Sequence, residues 1–534
     1  MGSMFSRWKR AAQLLVGEPD GISLALRSLQ QSNPVPSSTG DPVLAVQLVP
    51  DRFFFLLFGA VSVRLQAHCP NTAKLVIVRA VSGAIGVGWF AEIRRSAMAT
   101  WLFCQLWIRA YRGLLGGVAY RSTSYRHPLQ DCKDWFSSKA LWRQIQGKEE
   151  QFSLSIDGIE VADLLVDSYL RFRPSPRFDA ADPFVRRLIW QALRDVRLAN
   201  AYFGRVKPRW YISSYSTYLE HGVAVRAALR HQVPVWTFGS LIQFGKRLSS
   251  ADSFHTADFS DYRSRFEAIE AKEGCLLAAR RVLDRRLSGD IDIATSYMRQ
   301  SAYGKTDAAV PQGLDGAVVV FLHDFYDSPH VYPDLVFQDF WRWICFTIEV
   351  LQQAGIRFFL KPHPNQIALS DAVLPALSQK YPGIDWIPPG VNNVQLVQAG
   401  MSCGVTAYGT VAHELAYLGV PSIACARHPH HTFDFCRTAH SRDEYAAMLR
   451  SFELQPLSKE AMQQQALSFF YMHNLYGTPD QLALRNAFAG FWKLCDSKSA
   501  SEADTMRALQ ALTQLPAFDQ FVQSLVNEKA APSY

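Results

Sequence analysis

Two stretches of the chain place polar groups directly after a buried strand pattern. Residues 358–366 (FFLKPHPNQ) form an apolar strand pattern that stops at a Lys-Pro-His-Pro sequence. Residues 404–423 (GVTAYGTVAHELAYLGVPSI) give a turn of small residues, a helix pattern and then a second apolar strand. In open α/β sheets, ligands bind just beyond the carboxyl ends of the strands. The two stretches therefore predict an α/β fold with a ligand site at that edge.

Strands and helices alternate in both halves of the chain, which is typical of parallel sheets. The predicted strands are residues 53–59, 74–81, 210–214, 233–238, 317–323, 357–360, 384–387 and 421–425. Helices are predicted at residues 219–231, 262–300, 340–354, 371–380 (capped by Ser370), 391–399 and through most of 442–530. The predicted fold class is α/β, with two Rossmann-like parallel sheets and a helical C-terminal segment.

The length of 534 residues predicts more than one domain, because a single core stops growing at about 250–300 residues. The loose, glycine-containing stretch 301–316 is the predicted boundary. We predict four segments: a basic helix and loop at 1–45, a Rossmann-like domain at 46–300, a second Rossmann-like domain at 317–490 and a helical tail at 491–534.

The net charge of +8 suits anionic substrates or an anionic membrane surface. No Lys/Arg stripe interleaved with aromatic residues occurs, so nucleic-acid binding is not predicted. Nine scattered cysteines without a Cys-x-x-Cys pattern indicate reduced thiols and a cytoplasmic location. Residues 85–115 are apolar but interrupted by charges, which argues against a transmembrane helix. The basic residues 5–17 fit an ordinary surface helix or a helix lying on the inner membrane face.

The Lys-Pro-His-Pro turn is the first candidate binding element. Pro362 and Pro364 hold His363 in an extended conformation, next to the cation Lys361. A rigid imidazole beside an ammonium group suits a phosphate oxygen. The alternative is a surface turn that only ends the strand.

The small-residue turn is the second candidate element. Thr406, Tyr408, Gly409 and Thr410 precede a helix, where exposed N–H groups and the positive helix end favour an anion. Glu414, in the first turn of that helix, could reach sugar or ribose hydroxyls. The alternative is helix capping, with Thr410 as the N-cap.

Two further loops carry candidate catalytic and acceptor-binding residues. His323 and Asp327 follow the strand at 317–323 and could bind a sugar or transfer protons, whereas their spacing matches no compact zinc site. A solvated Asp-rich turn is the alternative. In the first half the preferred general base is Glu220, and Asp157 and Asp163 are the other candidates for that role. The alternative for Glu220 is that its carboxylate only complements the helix dipole in the first turn of a helix. The candidate acceptor-binding residues are Tyr215, Tyr218 and His221. Residues 83–88 resemble a dinucleotide-binding loop and residues 290–292 resemble an Asp-x-Asp metal motif, and both are interpreted as structural.

Residues 317–436 resemble the C-terminal half of GT-B glycosyltransferases, and more narrowly the bacterial capsule-polysaccharide group that includes Kdo transferases. The matching features are the Lys-Pro-His-Pro element at 361–364, the Thr-containing turn leading to Glu414, and Gly419-Val-Pro421. The resemblance implies two facing Rossmann-like domains, with 317–490 holding the donor and 46–300 the acceptor. It also implies His363 at the nucleotide phosphate and residues 406–410 around it. The turn has no paired serines, so CMP remains open against UDP or GDP.

The sequence thus predicts a cytoplasmic GT-B glycosyltransferase, with contact to the inner membrane as an added alternative. It would transfer sugar from a nucleotide-activated donor, CMP-Kdo being favoured, to a surface polysaccharide or lipid-linked glycan. No metal and no other cofactor is expected. A sugar-nucleotide epimerase or hydrolase of the same fold is the enzymatic alternative, and a non-catalytic scaffold of a polysaccharide assembly complex is the other.

Overall fold

The computed structural model describes fourteen stretches of the chain, and everything below refers to them. They are residues 42–49, 51–69, 74–79, 119–122, 128–148, 152–173, 175–292, 301, 303, 308–363, 366–388, 390–454, 457–497 and 499–527. The predictions for residues 1–41, 83–88 and Pro364 lie outside the described residues.

The first half contains a six-stranded sheet and a small hairpin. Its strands are β1 (Pro42–Gln47), β2 (Lys74–Arg79), β3 (Ala119–Ser122), β4 (Ser155–Ile156), β5 (Ile159–Glu160), β6 (Trp210–Ser213), β7 (Val235–Thr237) and β8 (Lys246–Leu248). Its helices are α1 (Arg52–His68), α2 (Pro128–Ile145), α3 (Ala162–Phe172), α4 (Pro183–Val206), α5 (Tyr218–Arg230), α6 (Tyr262–Glu267) and α7 (Lys272–Leu287).

The second half contains another six-stranded sheet and ends in a run of helices. The strands are β9 (Val318–Phe321), β10 (Phe358–Lys361), β11 (Asp385–Trp386), β12 (Cys403–Val405), β13 (Ser422–Ala424) and β14 (Cys436–Thr438). The helices are α8 (Phe340–Gln353), α9 (Ala368–Asp371), α10 (Val373–Lys380), α11 (Asn393–Gln398), α12 (Val411–Leu418), α13 (Arg442–Arg450), α14 (Lys459–Phe470), α15 (Pro479–Asp496), α16 (Glu502–Gln514) and α17 (Pro516–Val526).

Both large sheets have the Rossmann strand order. The first runs β3-β2-β1-β6-β7-β8 and the second β11-β10-β9-β12-β13-β14, which is 3-2-1-4-5-6 within each sheet. All neighbouring strands are parallel except β7 and β8. The order reverses between β1 and β6, and between β9 and β12, and a crevice opens at such a switch point. The chain is therefore a GT-B fold with two Rossmann-like halves, as predicted.

One predicted strand is a helix. Residues 53–59 lie in α1, which Asp51 caps by accepting a hydrogen bond from the Phe54 N–H at 3.2 Å. Residues 53–63 are buried on every side of the helix, so the sequence shows no helical period there. An apolar run of this length fits a buried strand or a buried helix equally well, which explains the error.

The C-terminal helices complete the core of the first half. Phe488 of α15 and Phe521 of α17 lie in one hydrophobic cluster with α1 and with Trp210 of β6. The Trp210 indole N–H donates to the Leu525 carbonyl at 2.9 Å, which ties α17 to the sheet. The chain thus returns to the first half after completing the second. The domain limits drawn from the sequence stay a prediction.

The region after β10 also differs from expectation. Two helices, α9 and α10, replace the single predicted helix at 371–380. Ser370 lies inside α9 and is not the cap, because its hydroxyl donates to Asp324 at 2.6 Å and accepts from the Phe325 N–H at 3.0 Å. Ser370 therefore joins the loop after β9 to the segment after β10.

Candidate functional site

The switch point of the second sheet brings His323 and Thr406 together. His323 follows β9, Thr406 follows β12, and the His323 Nε2 and Thr406 Oγ1 atoms are 3.0 Å apart. The imidazole stacks on Phe340, with ring centroids 4.9 Å apart and an interplanar angle of 14°. Burial, with a smaller effect from His363, lowers the pKa of His323 to about 3, so the ring is neutral. This neutral imidazole lies at the switch point, between Thr406 and the ring of Phe340.

His363 and Lys361 lie on the other side of His323. Burial lowers the pKa of His363, and the charge of Asp324 partly opposes that effect. Burial also lowers the pKa of Lys361 to about 8, and its ammonium group donates to the Val391 carbonyl. Since β10, β9 and β12 are neighbours in the sheet, the three loops that carry these groups share one edge. The structure therefore brings Lys361, His363, His323 and Thr406 to one place.

The turn at 406–410 is held by Thr406. Its hydroxyl oxygen accepts from the Gly409 N–H at 2.9 Å. A Cβ at Gly409 would lie 2.7 Å from that oxygen, so the turn requires glycine. Thr410 occupies the N-cap position of α12 but makes no capping hydrogen bond through its side chain. Thr410 is therefore the N-cap residue, as the capping alternative predicted, but its hydroxyl does not make the capping bond.

Glu414 is turned toward the protein interior. The Arg286 guanidinium and the Tyr303 hydroxyl both donate to its carboxylate, and Tyr303 in turn accepts from the Asn393 amide at 2.8 Å. Burial raises the pKa of Glu414, and the charge of Arg286 opposes this. Both carboxylate oxygens are thus used within the fold. The position of Glu414 gives no support to the predicted contact with ribose or sugar hydroxyls.

Asp327 lies where the two halves meet. Its carboxylate accepts from the Ser328 N–H at 2.9 Å, and the residue is solvent-exposed. Desolvation of the carboxyl group by the neighbouring protein atoms nevertheless raises its pKa to about 6, and the hydrogen bond from Ser328 partly opposes this rise. The charge of Asp327 acts on Tyr215 and Tyr218 from the first half and on Tyr408 from the second. An accessible carboxyl group with a raised pKa can exchange a proton near neutral pH.

Tyr218 and Tyr408 close the junction from opposite halves. The Tyr408 hydroxyl donates to the Ser328 carbonyl at 3.2 Å, and the charge of Asp327, the residue before Ser328, acts on both Tyr218 and Tyr408. Tyr218 begins α5 with φ of 58°, a left-handed conformation that is strained for a tyrosine. Strain of this kind is concentrated at ligand sites, where the surrounding structure maintains it.

The switch point of the first sheet carries a network of neutral polar groups. The Gln47 carbonyl accepts from the Ser213 hydroxyl at 3.0 Å and from the Ser214 N–H at 2.9 Å, while its amide contacts His221 Nδ1 at 2.7 Å. Tyr215 packs edge-on against His221, with ring centroids 5.6 Å apart. The predicted acceptor-side residues therefore form one wall, which faces Asp327.

Glu220 stands behind this wall. Its carboxylate lies 3.6 Å from His221 Nε2, and its charge contributes to the raised pKa of Asp195 on α4. These contacts all lie within the first half of the molecule. Glu220 could take part in proton transfer at the crevice only through His221, whereas the Asp327 carboxylate faces the crevice directly.

Asp157 is remote from the crevice. It occupies the turn between β4 and β5 with φ of 47°, and the next carbonyl, that of Gly158, accepts from Arg230 at 3.0 Å. Arg230 ends α5, whereas Tyr218 begins it, and 13 helical residues span roughly 20 Å. The catalytic prediction for Asp157 is therefore corrected: the residue forms part of the turn that joins β4 to β5. Asp163, the other rival, is bound to Arg226.

Three groups at this site were not found from the sequence. Gln47 was missed because β1 was not recognised, although its apolar run (PVLAVQ) was a visible signal. Arg171, whose charge acts on Asp327 and both first-half tyrosines, and Asp167, which contacts His330 at 2.7 Å, lie on the buried helix α3. Nothing in the local sequence indicates that this helix borders the second half.

Two further findings concern metals and membranes. Among the described residues, no three His, Cys, Asp or Glu side chains are grouped so that they could hold a metal ion. Within the same ranges, no helix has both the length and the hydropathy needed to cross a bilayer.

Comparisons with known proteins give similarity to solved structures alone. No protein-family model matches the sequence, and no curated protein matches it. The structure is similar to the β-Kdo 2,4 transferase KpsC of Thermosulfurimonas dismutans, with a TM-score of 0.30, 11% identity, and coverage of 50% of this chain and 79% of that one. It is also similar to the UDP-GlcNAc 2-epimerase of Neisseria meningitidis, with a TM-score of 0.22, 8% identity, and coverage of 92% and 100%. A third similar structure is the glycotransferase of kitacinnamycin, with a TM-score of 0.25, 10% identity, and coverage of 84% and 98%. These values are too low to carry an argument, so the fold is assigned from the strand order.

Proposed function

We propose that the protein is a glycosyltransferase that uses a nucleotide-activated sugar donor. The observation that carries this proposal is the meeting of His323, Thr406 and His363 at the switch point of the second sheet, with Asp327 on the same loop as His323 and the charge of Asp327 acting on the tyrosines of the first half. A switch-point crevice is the usual place for a nucleotide in such sheets. By the resemblance stated above, CMP-Kdo is the favoured donor, and the acceptor is a surface polysaccharide or a lipid-linked glycan.

In this proposal the second half holds the donor phosphate. Lys361 supplies a positive charge, and His363 supplies a hydrogen-bond donor without a fixed charge. The N–H groups of the turn 406–410 add neutral donors. These groups would stabilise the negative charge that develops on the phosphate when its bond to the sugar breaks. They are already in position before the reaction.

Asp327 is the proposed general base. With a pKa of about 6 its carboxylate is ionised at pH 7.5, yet it is more basic than an ordinary aspartate. It would take the proton from the acceptor hydroxyl as that oxygen attacks the donor sugar, while Tyr215 and Tyr218 position the acceptor. Glu220, acting through His221, is the alternative base, and the two carboxylates can be tested separately.

The direct test measures nucleotide release by the full chain. CMP-Kdo, UDP-N-acetylglucosamine and GDP-mannose are each incubated with the protein, with and without a lipid-linked glycan acceptor. A transferase releases nucleotide at a rate that rises with acceptor, and Asp327→Asn abolishes the rise. Release or isomerisation that is independent of acceptor would instead identify a sugar-nucleotide hydrolase or epimerase. No turnover of any donor would favour the scaffold alternative.

A further inference from the structure

A second cavity lies between the two halves, beside the crevice. Its volume is about 510 Å³, and its walls come from the β4–β5 hairpin, from α3, and from residues 330–338 of the second half. This size lies within the range of about 300–1,000 Å³ that is typical of small-molecule sites, and such sites often occur at domain interfaces. None of the binding roles assigned above uses this cavity.

The wall contributed by the second half includes a buried amide oxygen without a hydrogen bond. Gln338 lines the cavity and is only 5% exposed. Within the described residues, no donor reaches its Oε1 atom. Buried side-chain oxygens in folded proteins nearly always have a partner, so this atom requires a donor from outside the chain. A hydroxyl group of a ligand in the cavity would supply it.

The remaining polar groups of the cavity are already held in fixed positions. His330 contacts Asp167 through Nδ1 at 2.7 Å, which leaves Nε2 as the nitrogen for the cavity. Asp163 accepts from Arg226 at 2.7 Å, and Glu160 accepts from the Ser153 hydroxyl at 2.9 Å. The cavity therefore offers several hydrogen-bond acceptors in fixed places.

The charge and the apolar surface of the cavity restrict what it can bind. Glu160 and Asp163 both line it, and Arg226 pairs with Asp163, whereas within the described residues Glu160 forms no ion pair, so an anionic ligand would face excess negative charge. Phe152 and Phe337 line it as well and provide aromatic surface. A ligand with hydroxyl groups on its rim, C–H groups on its face and no charge satisfies both conditions. A neutral pyranose has this chemistry.

We propose that this cavity binds a neutral sugar unit of the acceptor glycan. The inference rests on the proposed transferase function, because it assigns the bound sugar to the acceptor. His330 at the cavity and Asp327 at the crevice lie three residues apart on one loop. An acceptor chain held in the cavity would therefore extend toward the proposed base. The cavity would select an uncharged unit of the glycan at a distance from the reacting hydroxyl.

The test is saturation-transfer NMR on the full chain with three probes. Methyl β-glucopyranoside and methyl β-galactopyranoside are neutral, and methyl β-glucuronide is the anionic comparison. We expect transfer to at least one neutral probe and little transfer to the glucuronide. Ala162→Leu narrows the cavity and should abolish the signal, and Gln338→Leu removes the amide oxygen and should weaken binding about fivefold.

Gln243→Leu is the matched control, because Gln243 is also buried, has an unpaired amide nitrogen and lines a different cavity. It should leave the signal unchanged, and so should His363→Ala. If Ala162→Leu does not fold, Gln338→Leu decides the question. The proposal is overturned if no neutral probe receives saturation, if the glucuronide binds equally well, or if both glutamine variants behave alike. Sugar binding without any nucleotide binding would overturn the transferase function and leave the sugar site standing.

Discussion

His323 and Thr406 are 83 residues apart in the sequence, yet His323 Nε2 and Thr406 Oγ1 lie 3.0 Å apart. The contact exists because β9 and β12 pair directly, with Val320 opposite Val405. It fixes the loop after β9 against the turn that starts at Thr406. The candidate donor site is built on this contact.

Thr406→Ala is expected to weaken nucleotide binding about fivefold to tenfold. The change removes the partner of His323 and the acceptor for the Gly409 N–H, and each such bond contributes about 1 kcal/mol. Isothermal titration with the preferred nucleotide measures the effect. Thr410→Ala is the matched control, since the Thr410 side chain makes no capping bond. No loss in Thr406→Ala would show that the turn acts only through its backbone, and an equal loss in Thr410→Ala would show that the effect is not specific to the Thr406 hydroxyl.

Asp327→Asn is expected to lower kcat by about 10²–10⁴-fold with little change in KM for the donor, as for loss of a general base. The raised pKa of about 6 predicts that the wild-type rate falls below pH 6, where the carboxylate becomes protonated. This acid limb should be missing from the residual activity of the variant. Steady-state rates between pH 5 and pH 8 measure it. An acid limb that persists in Asp327→Asn and disappears in Glu220→Gln would transfer the role to Glu220.

The lowered pKa of Lys361 leads us to expect a loss of nucleotide affinity in alkaline solution. Its pKa of about 8 in the free protein means that the ammonium form, which binds phosphate, predominates below pH 8 and is lost as the pH rises above it. Affinity should therefore be constant from pH 6.5 to pH 7.5 and decline above pH 8. Lys361→Met should bind weakly with no such decline, and Lys272→Met, at an exposed position, should behave like the wild type. An unchanged pH dependence in Lys361→Met would contradict the assignment.

Phe521→Ala is expected to destabilise the first half by about 3–5 kcal/mol, because it opens a cavity among α1, α17 and the sheet. Phe136→Ala is the control, since Phe136 is 74% exposed and its loss should change stability by less than about 0.5 kcal/mol. Urea unfolding followed by tryptophan fluorescence measures both variants. A small effect at Phe521 would mean that the C-terminal helices are not part of the first core.

The sequence predicted four of the six strands in the second sheet, β9, β10, β11 and β13, but not β12 or β14. In β9 and β10, apolar runs lead straight into polar loops, so the strand and its loop residues are adjacent in the chain. His323 and His363 could be found in this way, and Thr406 was found from the small-residue turn that precedes a helix pattern. What brings them together is the strand order, which follows from the parallel α/β pattern.

The first half was harder to predict because its environment is set by distant segments. Residues 53–59 are buried on all sides, partly by helices at the C-terminal end of the chain, and so lack a helical period. Gln47 gains its importance from Ser213, Ser214 and His221, which no local pattern indicates. Asp157 looked catalytic only by its residue type, since the hairpin turn that uses it is not evident without the backbone conformation.

Thermal unfolding in the presence of nucleotides tests the central claim most directly. CMP, UDP, GDP and dTDP are added at about one hundred times the dissociation constant, where a specific ligand adds about 2.7 kcal/mol of stability. The account predicts that one of them raises the Tm of the wild type and of His440→Ala, an exposed-histidine control, but not that of His363→Ala. A Tm that no nucleotide raises, or a full shift in His363→Ala, would contradict it.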